Sequence, residues 1–329
     1  MTTTQLRTRT ITDALHLACR APSLHNSQPW RWVVTDHEVS LFADPDRMVR
    51  AADSSGREAL ISCGAALDHF RVAMAAAGWD TTVRRHPDPA DPLHIAAIQF
   101  VPAAAVTDQQ QRRADAILVR RSDRLPLAAP PDWARLADSL RATARGPVQV
   151  DIVADAAREP LAEASHLAEA MRMFDSAYHT ELDWWTANFA TDEGVPRSAL
   201  ISAAESDRVD VGRAFPVTVQ PERRGEVDDH AGILVLCTDG ESADSVLRCG
   251  EALSAVLLDA AMVGMATCTI THLTEVPEGR AVVASLIGTT AVPQALVRVG
   301  LAPSLEPTAP PTPRRPIQNV IEIRRGATC

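Results

Sequence analysis

Apolar residues recur along this chain in two patterns. Helical spacing marks residues 11–20, 57–77, 108–121, 132–144, 157–179 and 242–263. Short strand-like runs mark 30–35, 38–42, 93–101, 148–154, 232–237 and 295–300. WRWVVT and EVSLF flank the turn-prone Asp36 and His37, which predicts a hairpin. Helices and strands mix without regular βαβ alternation, so the predicted class is α+β, with helices packed around central mixed sheets. Two stretches break the pattern. Residues 190–229 are polar and aperiodic over a length that predicts a functional lid. Residues 303–316 are proline-rich and predict an extended arm; the apolar IQNVIEI behind them predicts that this arm, 303–329, crosses the surface and docks.

The pattern also repeats. CGAAL at 63–67 and CGEAL at 249–253 each run through small residues to a glycine, Gly78 or Gly264, 15 residues after the cysteine. A glycine there fits a helix C-cap. DPLHIAAIQFVP at 91–102 and VPQALVRVGLAP at 292–303 share a Pro-x9-Pro frame. The copies are offset by 186 residues at the cysteines and by 201 at the prolines, so the second carries 15 more residues between helix and strand. Such spacing is far too long for a solenoid. It predicts one fold duplicated within the chain: a shortened half over 1–106 and a second half over 107–329 that includes lid and arm.

Composition narrows the chemistry. The 329 residues are 46% apolar and 22% charged, as in a globular chain. All 32 basic residues are arginine. Without lysine there is no Schiff base, no ordinary pyridoxal phosphate enzyme and no P-loop lysine. A net charge of −10 argues against a nucleic-acid partner. No uninterrupted apolar run approaches the roughly 18 residues of a membrane span, and the N-terminus reads poorly as a secretory signal, so a cytoplasmic protein without a membrane partner is expected. The six cysteines, at 19, 63, 237, 249, 268 and 329, form no CxxC pair and read as reduced thiols, Cys63 and Cys249 as core. The ten histidines fall into no metal-ligand spacing, so no metal is expected.

Residues 21–30 read APSLHNSQPW: two prolines stiffen a loop that displays Ser23, His25, Asn26, Ser27 and Gln28. A Ser23–His25 hydrolase pair is disfavoured, because residues two apart rarely adopt that geometry and no GxSxG elbow exists. APSLHNSQPWRWVV resembles the Pro-Ser-x-x-Asn-x-Gln-Pro-Trp signature of the FMN-dependent nitroreductase family. RRSDR at 120–124 is similar to that family's arginine clamp, Arg314 and Arg315 to its C-terminal basic pair, and GMATCTITH at 264–272 to its loop beside the flavin. Thr269 and His272 stand where the family commonly has proline and glycine. The resemblance implies a cofactor site built from Pro22, Ser23, His25, Asn26 and Gln28; from Arg120, Arg121, Ser122 and Arg124; from Thr269, Ile270 and Thr271; and from Arg314 and Arg315. His272 is a further proton-donor candidate or a surface residue, and Trp184 and Trp185 stack near the ring or pack in the core.

The order of these motifs resembles the duplicated Acg-type branch of the family in actinobacteria, which is associated with hypoxia and dormancy. It implies one complete composite site and a degraded partner, because the first half begins with LRTRT and the second has AMRMFDSAYHTELDWW where a Pro-Ser-x-x-Asn loop is expected. The expectations that follow are one FMN per chain and a monomer mimicking the family homodimer. NAD(P)H would deliver hydride to flavin N5, which carries the chemistry without a catalytic side chain. A nitroaromatic or quinone would be the acceptor. The alternative is a protein that stores or sequesters FMN beneath a closed lid without NAD(P)H-dependent turnover.

Overall fold

The computed structural model of the chain describes residues 3–144, 146–187, 193–216, 228–302 and 310–324. Two long apolar helices, α2 (Arg57–Ala76) and α8 (Ala243–Met262), pack on each other, and each carries a sheet on its other side. The first sheet has the order β3 (Trp79–Arg85), β4 (His94–Pro102), β2 (Val39–Ala43), β1 (Trp30–Val34), β9 (Ile321–Ile323). The second has the order β7 (Ala266–Ile270), β8 (Val292–Gly300), β6 (Gly232–Thr238), β5 (Val148–Ile152). Every pair is antiparallel except β1–β9. With β9 set aside the two orders correspond strand for strand: the strand that follows the long helix, then its partner, then the two arms of the preceding pair.

The sequence explains what covers each sheet. In the first sheet, alternate residues Trp30, Trp32 and Val34 face α2 and α1 (Thr3–Ala18), while Arg31 turns outward. In the second, GILVLCT is apolar almost throughout and is buried on both faces. Leu234 and Leu236 face α8 and α4 (Trp133–Thr143); Ile233, Val235 and Cys237 face α5 (Asp155–Arg172) and α9 (Pro277–Ile287). The helix α9 lies between β7 and β8, within the stretch where the sequence repeat is 15 residues longer the second time.

The α2–α8 contact is close because each helix offers a glycine. A Cβ on Gly64 would collide with the Leu247 carbonyl, and a Cβ on Gly250 with the Ile61 carbonyl. The two clashes are reciprocal: each involves the carbonyl three residues before the partner glycine. Next along the seam, Ser254 donates a hydrogen bond of 2.7 Å to Asp68. Cys63 and Cys249 are both fully buried here. α2 is long and apolar enough to cross a membrane by length and composition, although no unbroken run is; its apolar face is committed to this core.

Several elements differ from the periodicity. The helix expected at 157–179 is two, α5 and α6 (Ser176–Thr186), because the Asp175 carboxylate caps the second by accepting from Tyr178 N–H at 3.0 Å. The loop expected at 264–272 is largely strand β7, and β3 and α9 had no clear signal. The described part of the expected lid, 193–216 and 228–229, includes the short helix α7 (Ala203–Ser206), opened by a capping box between Ser202 and Glu205. Residues 190–192 and 217–227 lie outside the described residues, as do 303–309 and 325–329 of the arm. The rest of the arm runs past residues 26–28 and ends as β9, parallel to β1 with Trp32 opposite Ile321.

Candidate functional site

The 21–30 loop holds an unusual backbone. His25, Asn26 and Gln28 all have left-handed φ, 49°, 57° and 53°. Each such non-glycine residue costs on the order of 1–3 kcal/mol and persists only where its surroundings hold it. Here they do. Ser23 Oγ accepts from Gln28 N–H at 3.0 Å, and Asn26 Nδ2 donates to the carbonyls of Gly194 (2.9 Å) and Pro313 (3.1 Å). Gln28 Oε1 accepts from Arg315 N–H at 2.9 Å. Arg315 also donates to the Gln28 carbonyl and pairs with Asp44 at 3.3 Å. The loop's amides thus tie the lid segment and the arm to the loop itself.

Two adjoining cavities open against this loop, and Pro22, Ser23, Ser122 and Arg124 line both. The larger, about 350 Å3, is basic: Arg20, Arg120, Arg121 and Arg314 line it, with Asn26 at its edge. Here α3 (Asp108–Val119) has ended, and the RRSDR segment runs beside β7, with Asp123 N–H donating to the Thr267 carbonyl at 2.9 Å. Among the described residues no carboxylate pairs with Arg20, Arg120 or Arg314. Their bonds go to carbonyls instead: Arg314 to Cys19 (2.9 Å) and Arg20 (2.9 Å), and Arg120 to Arg20 (3.1 Å). Burial and mutual repulsion pull Arg120 down to about 10 and Arg314 down to about 9. Arg120 Nε is buried without a partner.

The smaller cavity, about 120 Å3, lies between the loop, the start of α2, β7 and the lid segment. Its apolar walls include Leu24, Ile61, Leu253, Ile270 and Phe215. Arg124 enters with its guanidinium 4.8 Å from the Phe215 ring centroid and one bond, 3.3 Å, to the Ala199 carbonyl. Burial and the nearby Arg213 lower its proton affinity. Thr269 lines the cavity with its hydroxyl unpartnered. Ile270 and Thr271 continue the same wall, although the Thr271 hydroxyl is spent on Glu275 at 3.1 Å. His25 is edge-on to Phe215 at 6.0 Å; burial, Arg213 and Arg124 hold its pKa well below the ordinary value, so it is neutral.

Most of the sequence-derived residues therefore meet at these cavities, but Gln28 and Arg315 do not. Both are turned into the loop–arm junction. His272 is neither a surface residue nor a wall of either cavity: it is buried, 2.8 Å from Ser165 Oγ, and desolvation keeps it neutral. Trp185 packs against the loop that follows β2, whereas Trp184 is half exposed.

Sequence reasoning missed Arg20, Glu58, Arg213, Cys268 and Arg298, all of which line the cavities. Arg213 reaches Glu275 and bonds Tyr178 Oη at 2.6 Å; Arg298 pairs with Asp229. Glu58 pairs with Arg57, yet burial, Glu275 and Asp53 push its carboxyl up to about 8. Arg20 and Glu58 had a usable signal, being charges beside a motif and at the start of an otherwise apolar helix. Arg213 lay in an aperiodic stretch and had none.

No family model matches the sequence. A Mycobacterium tuberculosis protein named "Putative NAD(P)H nitroreductase acg" is 58% identical over 326 residues, covering 98% of both chains. A second "Putative NAD(P)H nitroreductase" of that organism is 39% identical over 318 residues, covering 95% of this chain and 91% of its own. Among solved structures, the FMN and NADPH-dependent nitroreductase NfnB of a Sphingopyxis strain has a TM-score of 0.41 at 17% identity, covering 64% of this chain and 97% of its own. A Desulfitobacterium hafniense nitroreductase with bound FMN has a TM-score of 0.41 at 11% identity, covering 64% of this chain and 97% of its own. The chain belongs to the nitroreductase family. Within it, the chain falls on the branch that includes acg.

Proposed function

We propose that this chain binds one FMN across the two cavities and acts as an NAD(P)H-dependent oxidoreductase toward a nitroaromatic or quinone. The observation that carries the reading is the cluster of Arg20, Arg120 and Arg314. Arginines without carboxylate partners among the described residues, Arg120 buried among them with an unpartnered Nε, fit a dianionic phosphate, to which arginine gives charge-assisted bonds. Arg121 lines the same cavity. In the smaller cavity, Arg124 would face the electron-rich edge of the ring, the Thr269–Thr271 wall would flank it, and the apolar side chains would exclude water. Bound FMN supplies hydride transfer, which no side chain can perform.

The reading includes a duplicated fold, supported by the corresponding strand orders and the reciprocal Gly64 and Gly250 contacts. The purified protein, titrated with FMN and then given NADPH without oxygen, is expected to lose its flavin absorbance and to regain it on addition of a nitrofuran or quinone. A yellow protein that NADPH fails to bleach would favour FMN storage, and a colourless protein that takes up no FMN defeats both readings.

A further inference from the structure

We propose that Glu58 is the acid of the smaller cavity and gives the acceptor the proton that accompanies hydride transfer. The proposal rests on the flavin-dependent reading above, which assigned no catalytic side chain. Among the described residues lining this cavity, Glu58 is the one carboxyl. The other candidates are poor proton sources. His25 is neutral and has no second proton to give. The guanidinium groups of Arg124, Arg213 and Arg298 do not function as acids at neutral pH. Serine and threonine hydroxyls are weaker acids still. Cys268 is a lone thiol whose Sγ lies 3.9 Å from the Thr269 carbonyl.

The position of Glu58 suits a group that must hold and release a proton. It sits in the first turn of α2, 3% exposed, where the helix N-terminus favours the carboxylate. Arg57 on the same helix and Arg213 from the lid segment favour it too. Burial, Asp53 from the preceding loop and Glu275 from the loop after β7 favour the acid. From α8 the facing group is the Cys249 thiol, which burial keeps protonated. Opposing influences of this kind poise a carboxyl for transfer instead of fixing it in one state. After transfer, the carboxylate remains beside the Arg57 guanidinium, itself anchored at 2.7 Å on the Gln294 carbonyl and 3.1 Å on the Thr274 carbonyl.

The chemistry balances with one such proton. A quinone becomes a hydroquinone by taking two electrons and two protons. A reduced nicotinamide furnishes a hydride, two electrons and one proton. The second proton leaves a Glu58 Oε and forms the O–H bond of the product; solvent then returns a proton to the carboxylate. A nitro group follows the same tally, since a hydride and one proton give a nitroso group and one water.

The substitution Glu58→Gln keeps size and an acceptor for Arg57 but removes the proton. E58Q is expected to take up FMN and to be bleached by NADPH, yet to be reoxidised by a benzoquinone roughly 100-fold more slowly, within the range for loss of a general acid. Its reoxidation should also lose dependence on pH across the neutral range. In the infrared spectrum of the FMN-free protein, a protonated-carboxyl band should fade as pH rises through that range and be absent from E58Q. Wild-type reoxidation speed and pH profile in E58Q overturn the proposal, as does the lack of any titrating band. Should E58Q not fold, the wild type decides: reoxidation that slows as the band fades sustains the proposal, and reoxidation independent of pH overturns it. Wild-type protein that binds FMN but is not bleached by NADPH overturns the functional reading along with Glu58, whereas normal bleaching with pH-independent reoxidation overturns Glu58 alone.

Discussion

Arg120 illustrates how a residue can be placed for a ligand at some expense to the ligand-free fold. Its side chain is buried, it faces Arg20 and Arg314, and among the described residues no carboxylate offsets its charge. What it returns to the fold is a single bond to the Arg20 carbonyl. A structural arginine looks different: Arg298, also buried, pairs with Asp229 and bonds the Leu125 carbonyl at 3.1 Å. The substitution R120Q should therefore cost the FMN-free protein little stability, because the lost bond to the Arg20 carbonyl is offset by relieved repulsion. It should weaken FMN binding by about 1.5–3 kcal/mol, the value of a hydrogen bond to a charged group. That is roughly 10- to 150-fold in Kd. Flavin fluorescence titration and denaturant unfolding measure the two effects separately. A large stability loss with unchanged Kd would make Arg120 a scaffold residue and remove the main support for the phosphate site.

At the scale of elements, the seam between α2 and α8 depends on two missing side chains. Alanine normally favours a helix over glycine by about 1 kcal/mol. At Gly64 and Gly250 that preference is overridden, because the added Cβ would meet backbone, which cannot rotate away. G250A should destabilise the protein by about 1–3 kcal/mol, as overpacking does. Gly240 provides the control, since nothing lies within 4 Å of a Cβ there and its φ is not positive; G240A should be close to neutral by thermal unfolding. The two helices were legible in the sequence because each apolar stretch, CGAAL or CGEAL onward, is local and periodic; that they pack on each other was not. Nor was the internal bonding of the 21–30 loop. Asn26 and Gln28 look like ligand-facing amides until their partners are known, and Pro313 and Arg315 lie 287 residues away. The break at Asp175 was missed for a related reason: apolar spacing continues across it, and only the capping bond ends the run. Glu58 carries a weaker signal, because a carboxyl in the first turn of a helix is ordinarily explained by the helix itself.

On the proposed reading the chain is two related but unequal halves, and their inequality bears on how many cofactors it would hold. A second site would need an arginine clamp from the first half and a Pro-Ser-x-x-Asn loop from the second. At the clamp position, LRTRT belongs to the continuous helix α1; Arg9 there is largely exposed and lies 3.9 Å from Asp13 on the next turn. By contrast, RRSDR follows the end of its helix and turns Arg120 and Arg124 inward against β7. At the loop position, residues 170–185 form the end of α5 and most of α6. That helical stretch holds other segments in place: Glu181 accepts from the Ala51 and Ala52 N–H groups at 2.9 and 3.1 Å, and the Trp185 carbonyl accepts from Val195 N–H at 2.7 Å. A loop in place of these helices would remove those anchors. Saturating the protein with FMN, removing the excess and measuring flavin against protein should give a ratio near one per chain, with the mass in sedimentation that of a single chain. A ratio near two would mean that the helical stretch opens into a second loop in solution, and a ratio near one half with a doubled mass would mean that two chains build one site.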